Sequence, residues 1–374
     1  MKYWKQDDFD DFRCIAGACP ESCCAGWQIF IDQESLEKYR AFPGPFGERL
    51  RGSIDWEQGR FLQDGPRCLM LNGEGLCDLQ TAGGEQSLCQ TCARFPRHME
   101  EYEDVREYSL SLSCPQAAKM TVERSAPLSF TVTEDQTEDD PEDYEDFDDL
   151  LYDLLCTARD LLYKTAEEKR LPLQLRLDLI MQTAGQLQDC YDRDHFFDMD
   201  HVLEAAGKQL DRLAAAAGDP AQIEIICAAE GLDRESLEDA VRDFQLLYHM
   251  EMIHPDWISV LNRTGEAVLT DEDAWQAAMD PDAETERAAE NILISLLYTY
   301  FCGAVYDGQI RAKAAMAVYS LRWVLMVTAM YRQEEPGAGY MQLMEKALWQ
   351  YARQVEHSDQ NLDAVDIWFG EAPL

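Results

Sequence analysis

CIAGACPESCC, Cys14–Cys24, holds four cysteines in eleven positions, two of them adjacent. Cys68, Cys77, Cys89, Cys92 and Cys114 follow, so nine of the 13 cysteines lie in the first third of a 374-residue chain. Cys156, Cys190, Cys227 and Cys302 are scattered singly. The early stretch is broken by glycines (Gly52, Gly59, Gly65, Gly73, Gly75, Gly83, Gly84), whereas beyond Phe147 apolar residues recur at helical spacing. The expected fold class is therefore mainly α. A cysteine-rich, irregular and short-β metal-binding module (1–125) leads through an acidic linker (126–146) to a multi-helix domain (147–374).

A chain this long, 46% apolar, buries a large core and has no need of disulfides to replace one. The opening MKYWKQDDFDDF lacks an apolar run and a small-residue cleavage site, which predicts no signal peptide and a cytoplasmic setting. Thiols stay reduced there, so a dense cysteine cluster points to metal binding or catalysis. A net charge of −40 disfavours nucleic acid and anionic membrane surfaces as partners. Its plain reading is a soluble surface; its sharper reading is attraction of a lysine-bearing partner. Ile292–Val305 is too short to span a bilayer, and Ala314–Tyr331 carries Arg322 at its centre, so both read as buried core helices.

Along the module, WQIFI is β-prone, Asp32 offers an N-cap for a helix over 34–40, and PGPFG (43–47) ends it. Two short strands carrying Cys68 and Cys77 are expected around Asn72-Gly73, with one more over 104–112. Glu134–Asp149 has eleven acidic residues in 16 and reads as an exposed linker without calcium-loop spacing. Helices are expected near 147–169, 174–191, 195–217, 234–254, 284–306, 309–332 and 338–357. A doubly wound nucleotide-binding sheet is not expected.

The spacings C-x4-C-x3-CC, C-x8-C and C-x11-C-x2-C place soft thiolate donors suited to an iron–sulfur cluster or zinc. Nine thiols suffice for one cluster with spares or for two sites. Isolated buried thiols are the plain reading for the four scattered cysteines. Iron–sulfur is favoured over zinc, because a single CxxC (Cys89, Cys92) and the vicinal Cys23-Cys24 are unusual for a zinc ribbon. His249 and His254 read as structural or exposed, and Trp27 as a cover over the thiols.

Several strings resemble the flagellin lysine-N-methylase (FliB-type) family: FRCIAGACPESCCAGWQIFID, RCLMLNGEGLCDL, SLCQTCARFPR, SLSCPQAAK, ENILISLLY (Glu290–Tyr298) and VEHSDQNL (Val355–Leu362). The strings around Cys23-Cys24, Cys68, Cys77 and Cys92 are also similar to small bacterial iron- or zinc-chelating domains. The family resemblance implies a bacterial enzyme that methylates flagellin lysines before export, with S-adenosylmethionine as donor. It further implies an iron–sulfur cluster, of the 4Fe-4S type, on Cys19, Cys23, Cys24, Cys68, Cys77, Cys89 and Cys92. Lysine must lose its proton to accept a methyl group, so a base is needed. His357 and Glu356 are the expected catalytic pair, with Glu290 and Tyr298 as further candidates; for His357 a plain helix C-terminal role competes. No glycine-rich loop after a strand is present, and the sequence does not locate the donor site. The competing reading is a non-catalytic iron–sulfur or zinc protein that carries electrons or metal.

Overall fold

The computed structural model describes residues 1–137, 144 and 147–370, with Ala283 and Glu284 by backbone alone. The centre of the acidic run, 138–143 and 145–146, lies outside them. Strand β1 (Lys2–Gln6) opens the chain, where no strand was expected, and the Cys14–Cys24 loop follows with one 3-10 turn at Ala16–Ala18. Helix α1 (Gln33–Arg40) starts where Asp32 Oδ1 accepts from the Ser35 amide at 2.9 Å, and α2 (Gly44–Gly52) begins inside the expected breaker. Two small hairpins follow, β2 (Ile54–Asp55) with β3 (Arg60–Phe61) and β4 (Gln63–Asp64) with β5 (Arg67–Cys68).

Cys68 thus ends a hairpin turned at Gly65-Pro66, rather than one turned at Asn72-Gly73. The Asn72 turn exists as well: its Oδ1 accepts from the Glu74 and Leu76 amides, and Leu71 bridges Cys77. Short helices α3 (Asp78–Gly83) and α4 (Gln90–Arg94) carry Cys77 and Cys89 at their starts. Strands β6 (Arg97–Tyr102) and β7 (Val105–Leu110), helix α5 (Pro115–Val122) and strand β8 (Phe130–Glu134) complete this part. The main sheet has the order β6-β7-β1-β8, with β1 parallel to β7 and the other pairs antiparallel. Strand β8 lies within the stretch read as linker. Phe130 stacks on Tyr298 (4.0 Å between centroids), and the buried Leu128 donates its amide to Asn291 Oδ1, so the chain stays bound until the charge run begins.

Helices then follow one another: α6 (Asp149–Ala166), α7 (Leu173–Asp192), α8 (Phe196–Ala215), α9 (Pro220–Ala229), α10 (Leu237–Phe244), α11 (Leu246–His249), α12 (Trp257–Val268), α13 (Glu272–Met279), α14 (Ala283–Tyr300), α15 (Ala304–Asp307), α16 (Ile310–Glu334), α17 (Tyr340–Glu356) and α18 (Asp359–Gly370). The helix expected over 234–254 is two, because a Ser236–Asp239 capping box starts it late and the chain breaks at Gln245. Helices α9, α12, α13 and α18 were not expected. Helix α16 is the hub, with 18 of its 25 residues buried. A helix apolar on every side must be enclosed, and α7, α12, α14, α17 and α18 pack around it. Thr285–Asp307 and Ile310–Glu334 are long and apolar enough to cross a membrane, yet 78% and 89% of their apolar windows are buried against the rest of the chain. This suits core helices.

The sheet is fastened to the helices by a buried ion pair. Arg159 on α6 grips Glu107 on β7 with both terminal nitrogens, at 2.6 and 2.5 Å, and the two residues are 5% and 2% exposed. Arg159 also donates to the Tyr298 carbonyl. Removing one partner of such a pair strands a charge in the core. Glu107→Ala is expected to cost about 3–5 kcal/mol in urea unfolding; a loss below about 1 kcal/mol, the range of exposed pairs, would show that the pair fastens nothing.

Candidate active site and thiol cluster

The Glu356-His357 pair lies at the junction between α17 and α18, and the side chains face inward onto the sheet. Glu356 accepts a short hydrogen bond from Ser111 Oγ, and it also bonds the Ser113 amide and Tyr300. Ser111 Oγ and Ser113 Oγ are 2.5 Å apart, and Ser113 Oγ is 3.1 Å from His357 Nε2. Burial raises the Glu356 carboxyl above the ordinary range, although its hydrogen bonds and His98 pull the other way. Burial, and then the charge of Arg353, draws His357 down to about 3, so it is neutral at physiological pH. A charged-histidine role at the helix end is thereby removed.

Around this pair is a cavity of about 560 Å³. His357 stacks on Trp27 (5.2 Å between centroids) and meets the edge of Phe95 (5.9 Å). Trp27 donates its indole N–H to the Cys23 carbonyl at 2.7 Å, so one aromatic side chain separates the cysteine pair from the cavity. The lining also brings Tyr300, Tyr306, His98 and Glu100. His98 Nε2 is 2.6 Å from Glu100 Oε1. Burial pulls His98 down, but its bond to Glu100 and the two nearby carboxylates outweigh this and raise it. Aromatic faces with buried carboxylates attract organic cations, and a carboxylate with a raised pKa is a stronger proton acceptor than an ordinary one.

Both expected catalytic residues line this cavity. Glu290 and Tyr298 do not. Glu290 is buried between Lys169 and Arg287, and Tyr298 packs on Phe130 and Arg159. His98, Glu100, Tyr300 and Tyr306 were missed; the His-x-Glu alternation on a strand next to the CxxC was the available signal for the first two. His249 and His254 are exposed, as expected. A second cavity, about 570 Å³, is lined by Asp178, Glu235, Arg242, Asp243, Arg322 and Trp368. Several of its charges are paired, Arg322 with Asp178 and Glu235 and Arg242 with Asp243, while Asp233 and Arg311 also line it.

All cysteines are free thiols. The Cys24 carbonyl accepts the Cys68 amide at 2.9 Å, which lays the cysteine loop along β5. Asp32 Oδ2 accepts the Gln90 amide and the Phe30 carbonyl accepts Thr91 Oγ1, so α4 docks beside α1. Cys24, Cys68, Cys77, Cys89 and Cys92 thereby share one apolar cluster and lie within electrostatic reach of one another. A hydrogen bond from Cys23 brings Cys24 down to about 7, which makes it the readiest thiolate of the pair. Cys23 hydrogen-bonds Cys24 and, like Cys19, also lies within electrostatic reach of Cys14 and Cys114, which were not among the expected ligands. The donor chemistry fits a thiophilic metal group. Among the described residues, no three metal-ligating side chains are placed to hold a single ion.

The neutral state of His357 is testable. Its imidazole resonances should stay unchanged from pH 8 to pH 5, while those of His98 titrate above the ordinary histidine value of 6.5. Because unfolding restores an ordinary histidine, acidification from about pH 6.5 toward 3 should destabilise the fold by up to about 1.4 kcal/mol per pH unit through this residue. His357→Phe should remove that part of the slope; a His357 that titrates near 6.5 would contradict it.

A profile of the FliB lysine N-methylase C-terminal domain matches residues 159–372. The chain is 29% identical over 114 residues to the flagellar biosynthetic protein FliU of Salmonella muenchen, a match covering 28% of this chain and 68% of that protein. It is equally similar, over 114 residues, to the lysine-N-methylases of Salmonella typhimurium and Salmonella choleraesuis, where the match covers 28% of each relative. No solved structure matches. Because the profile spans more than half of the chain, including α16, α17 and the Glu356-His357 pair, this chain belongs to the FliB lysine N-methylase family through that C-terminal domain.

Proposed function

We propose that the chain is a protein-lysine N-methyltransferase that uses S-adenosylmethionine, acts on flagellin in the cytoplasm, and carries an iron–sulfur cluster on its N-terminal thiols. The observation that carries this reading is the cavity in which a buried, hydrogen-bonded Glu356 faces Trp27, Phe95, Tyr300 and a neutral His357. The net charge of −40 favours approach of lysine-rich surfaces. The names of the Salmonella relatives, one flagellar and two lysine-N-methylases, support the substrate.

In this reading a substrate lysine enters as an ammonium, held by the aromatic faces and by Glu100 and Glu356. Glu356 accepts its proton and leaves a neutral amine with a free lone pair. Ser111 and Tyr300 hold the carboxylate in place, and Ser113 orients His357. Bound donor would supply an electrophilic methyl group on a sulfonium, a cation that the same aromatic walls suit. The thiols Cys24, Cys68, Cys77, Cys89 and Cys92 would hold the cluster. Thiolates on one zinc ion sit about 3.8 Å apart at ordinary Zn–S lengths, whereas a cluster bonds each thiolate to a different iron and accepts a wider set.

The test is transfer of labelled methyl groups to flagellin lysines. Glu356→Gln should lower the rate by about 10²-fold or more, and should abolish the rise in rate as pH passes through the raised carboxyl value. A variant with unchanged rate and pH profile would remove Glu356 as the base. Absence of label with the wild-type chain and its cluster intact would favour a metal or electron carrier.

A further inference from the structure

Strand β6 is an outer strand of the main sheet, with β7 on one side. Among the described residues, no strand pairs with its other side. The ladder fixes which backbone groups face that side. The Ser111 amide donates to the Pro96 carbonyl at 2.8 Å, and bonded pairs alternate with unbonded ones along an antiparallel ladder. The register sets Arg97 against Leu110, His98 against Ser109 and Glu100 against Glu107. His98, Glu100 and Tyr102 therefore turn their backbone groups to β7, while Arg97, Met99 and Glu101 turn theirs outward. The Tyr306 hydroxyl agrees with this direction, since it donates to the Glu101 carbonyl. No described residue bonds the outward groups of Arg97 and Met99.

Side chains alternate along the same strand. His98 and Glu100 share a face with Ser109 and Glu107, which meet the helices through Thr299 and Arg159. That face is the cavity's: His98, Glu100 and Thr299 all line it. A strand laid beside β6, about 4.8 Å away, would turn its residues opposite His98 and Glu100 to this face. A lysine at either place would project into the cavity that holds Glu356, while backbone groups of the added strand bond Arg97 and Met99. A row of unpaired edge groups is a template for another chain, and strand addition is a general mode of peptide recognition. Strand β8, the opposite edge, borders neither cavity. The charge of the occupant follows from the surroundings. Glu100, Asp307, Glu356 and Asp359 line the cavity, and its Lys313 is already held by Asp307 and Asp366. A basic segment fits there.

We propose that the free edge of β6 docks an extended, lysine-bearing segment of the protein substrate, which adds as a further strand and delivers its lysine to Glu356. The proposal rests on the methyltransferase reading above and adds to it how the substrate backbone is held.

The test uses a synthetic flagellin peptide with one central lysine, carrying a single backbone N-methyl group at each position in turn. Binding to the full wild-type chain and methyl transfer are measured separately. Every second N-methyl group, on the amides that face β6, should weaken binding about tenfold or more, and those between should change it little. In an antiparallel arrangement the sensitive amides belong to the residues flanking the lysine; in a parallel one the lysine's own amide is sensitive. Met99→Pro removes an outward amide and no bond of the sheet, a change that edge strands tolerate. It should weaken the unmodified peptide by a similar factor. A peptide that is methylated without this alternation overturns the edge site and leaves the methyltransferase reading standing. A peptide bound with the alternation but never methylated overturns the methyltransferase reading and leaves the edge site. A chain that binds no such peptide, or a dimer that Met99→Pro converts to monomer, overturns the edge site; the dimer would assign the edge to a second copy.

Discussion

Enclosure of α16 is the constraint on which the structure depends. Its apolar residues leave no face for water, so each neighbouring helix is held by the need to cover it. The one charge at its middle, Arg322, is admitted because Asp178 and Glu235 meet it at 2.6 Å each. Helix α17 lies along one side of this hub and α18 along another. The turn between them is fixed by Asn361, whose side chain donates to the Gln354 and Glu251 carbonyls. Glu356 and His357 stand in that turn, so the packing of the hub places them against the sheet.

The sheet contributes the other half. Glu107 and Arg159 lock β7 to α6, and the Ser111–Ser113 segment just after β7 then meets Glu356 and His357. The thiol-rich part is joined to the same place from its own side. Trp27 spans from the Cys23 carbonyl to the His357 ring, and Arg353 holds the carbonyls flanking the cysteine pair. One turn of α17 therefore touches both the thiols and the cavity.

Much of this was legible in the chain itself. The long helices α6, α7, α8, α14, α16 and α17 follow apolar spacing bounded by prolines and glycines, and these local signals survive tertiary packing. The choice of Glu356 and His357 came from a family string, and both residues line the cavity. Long-range pairing was less legible. Strand β1 is held by β7 and β8, over a hundred residues away, and nothing in KYWKQ announces those partners. Strand β8 was hidden by the acidic run that follows it. Tyr298 and Glu290 occupy a matching string but serve packing and ion pairing, since a motif does not say which way a side chain points.

The central claim is that the Trp27–Glu356 cavity receives a substrate lysine. A crystal structure of the chain with a flagellin peptide bearing dimethyl-lysine tests it most directly. The account predicts the methylated nitrogen between the Trp27 ring and the Glu356 carboxylate. A peptide seated instead in the cavity of Asp178, Arg322 and Trp368, with the first cavity empty, would contradict it.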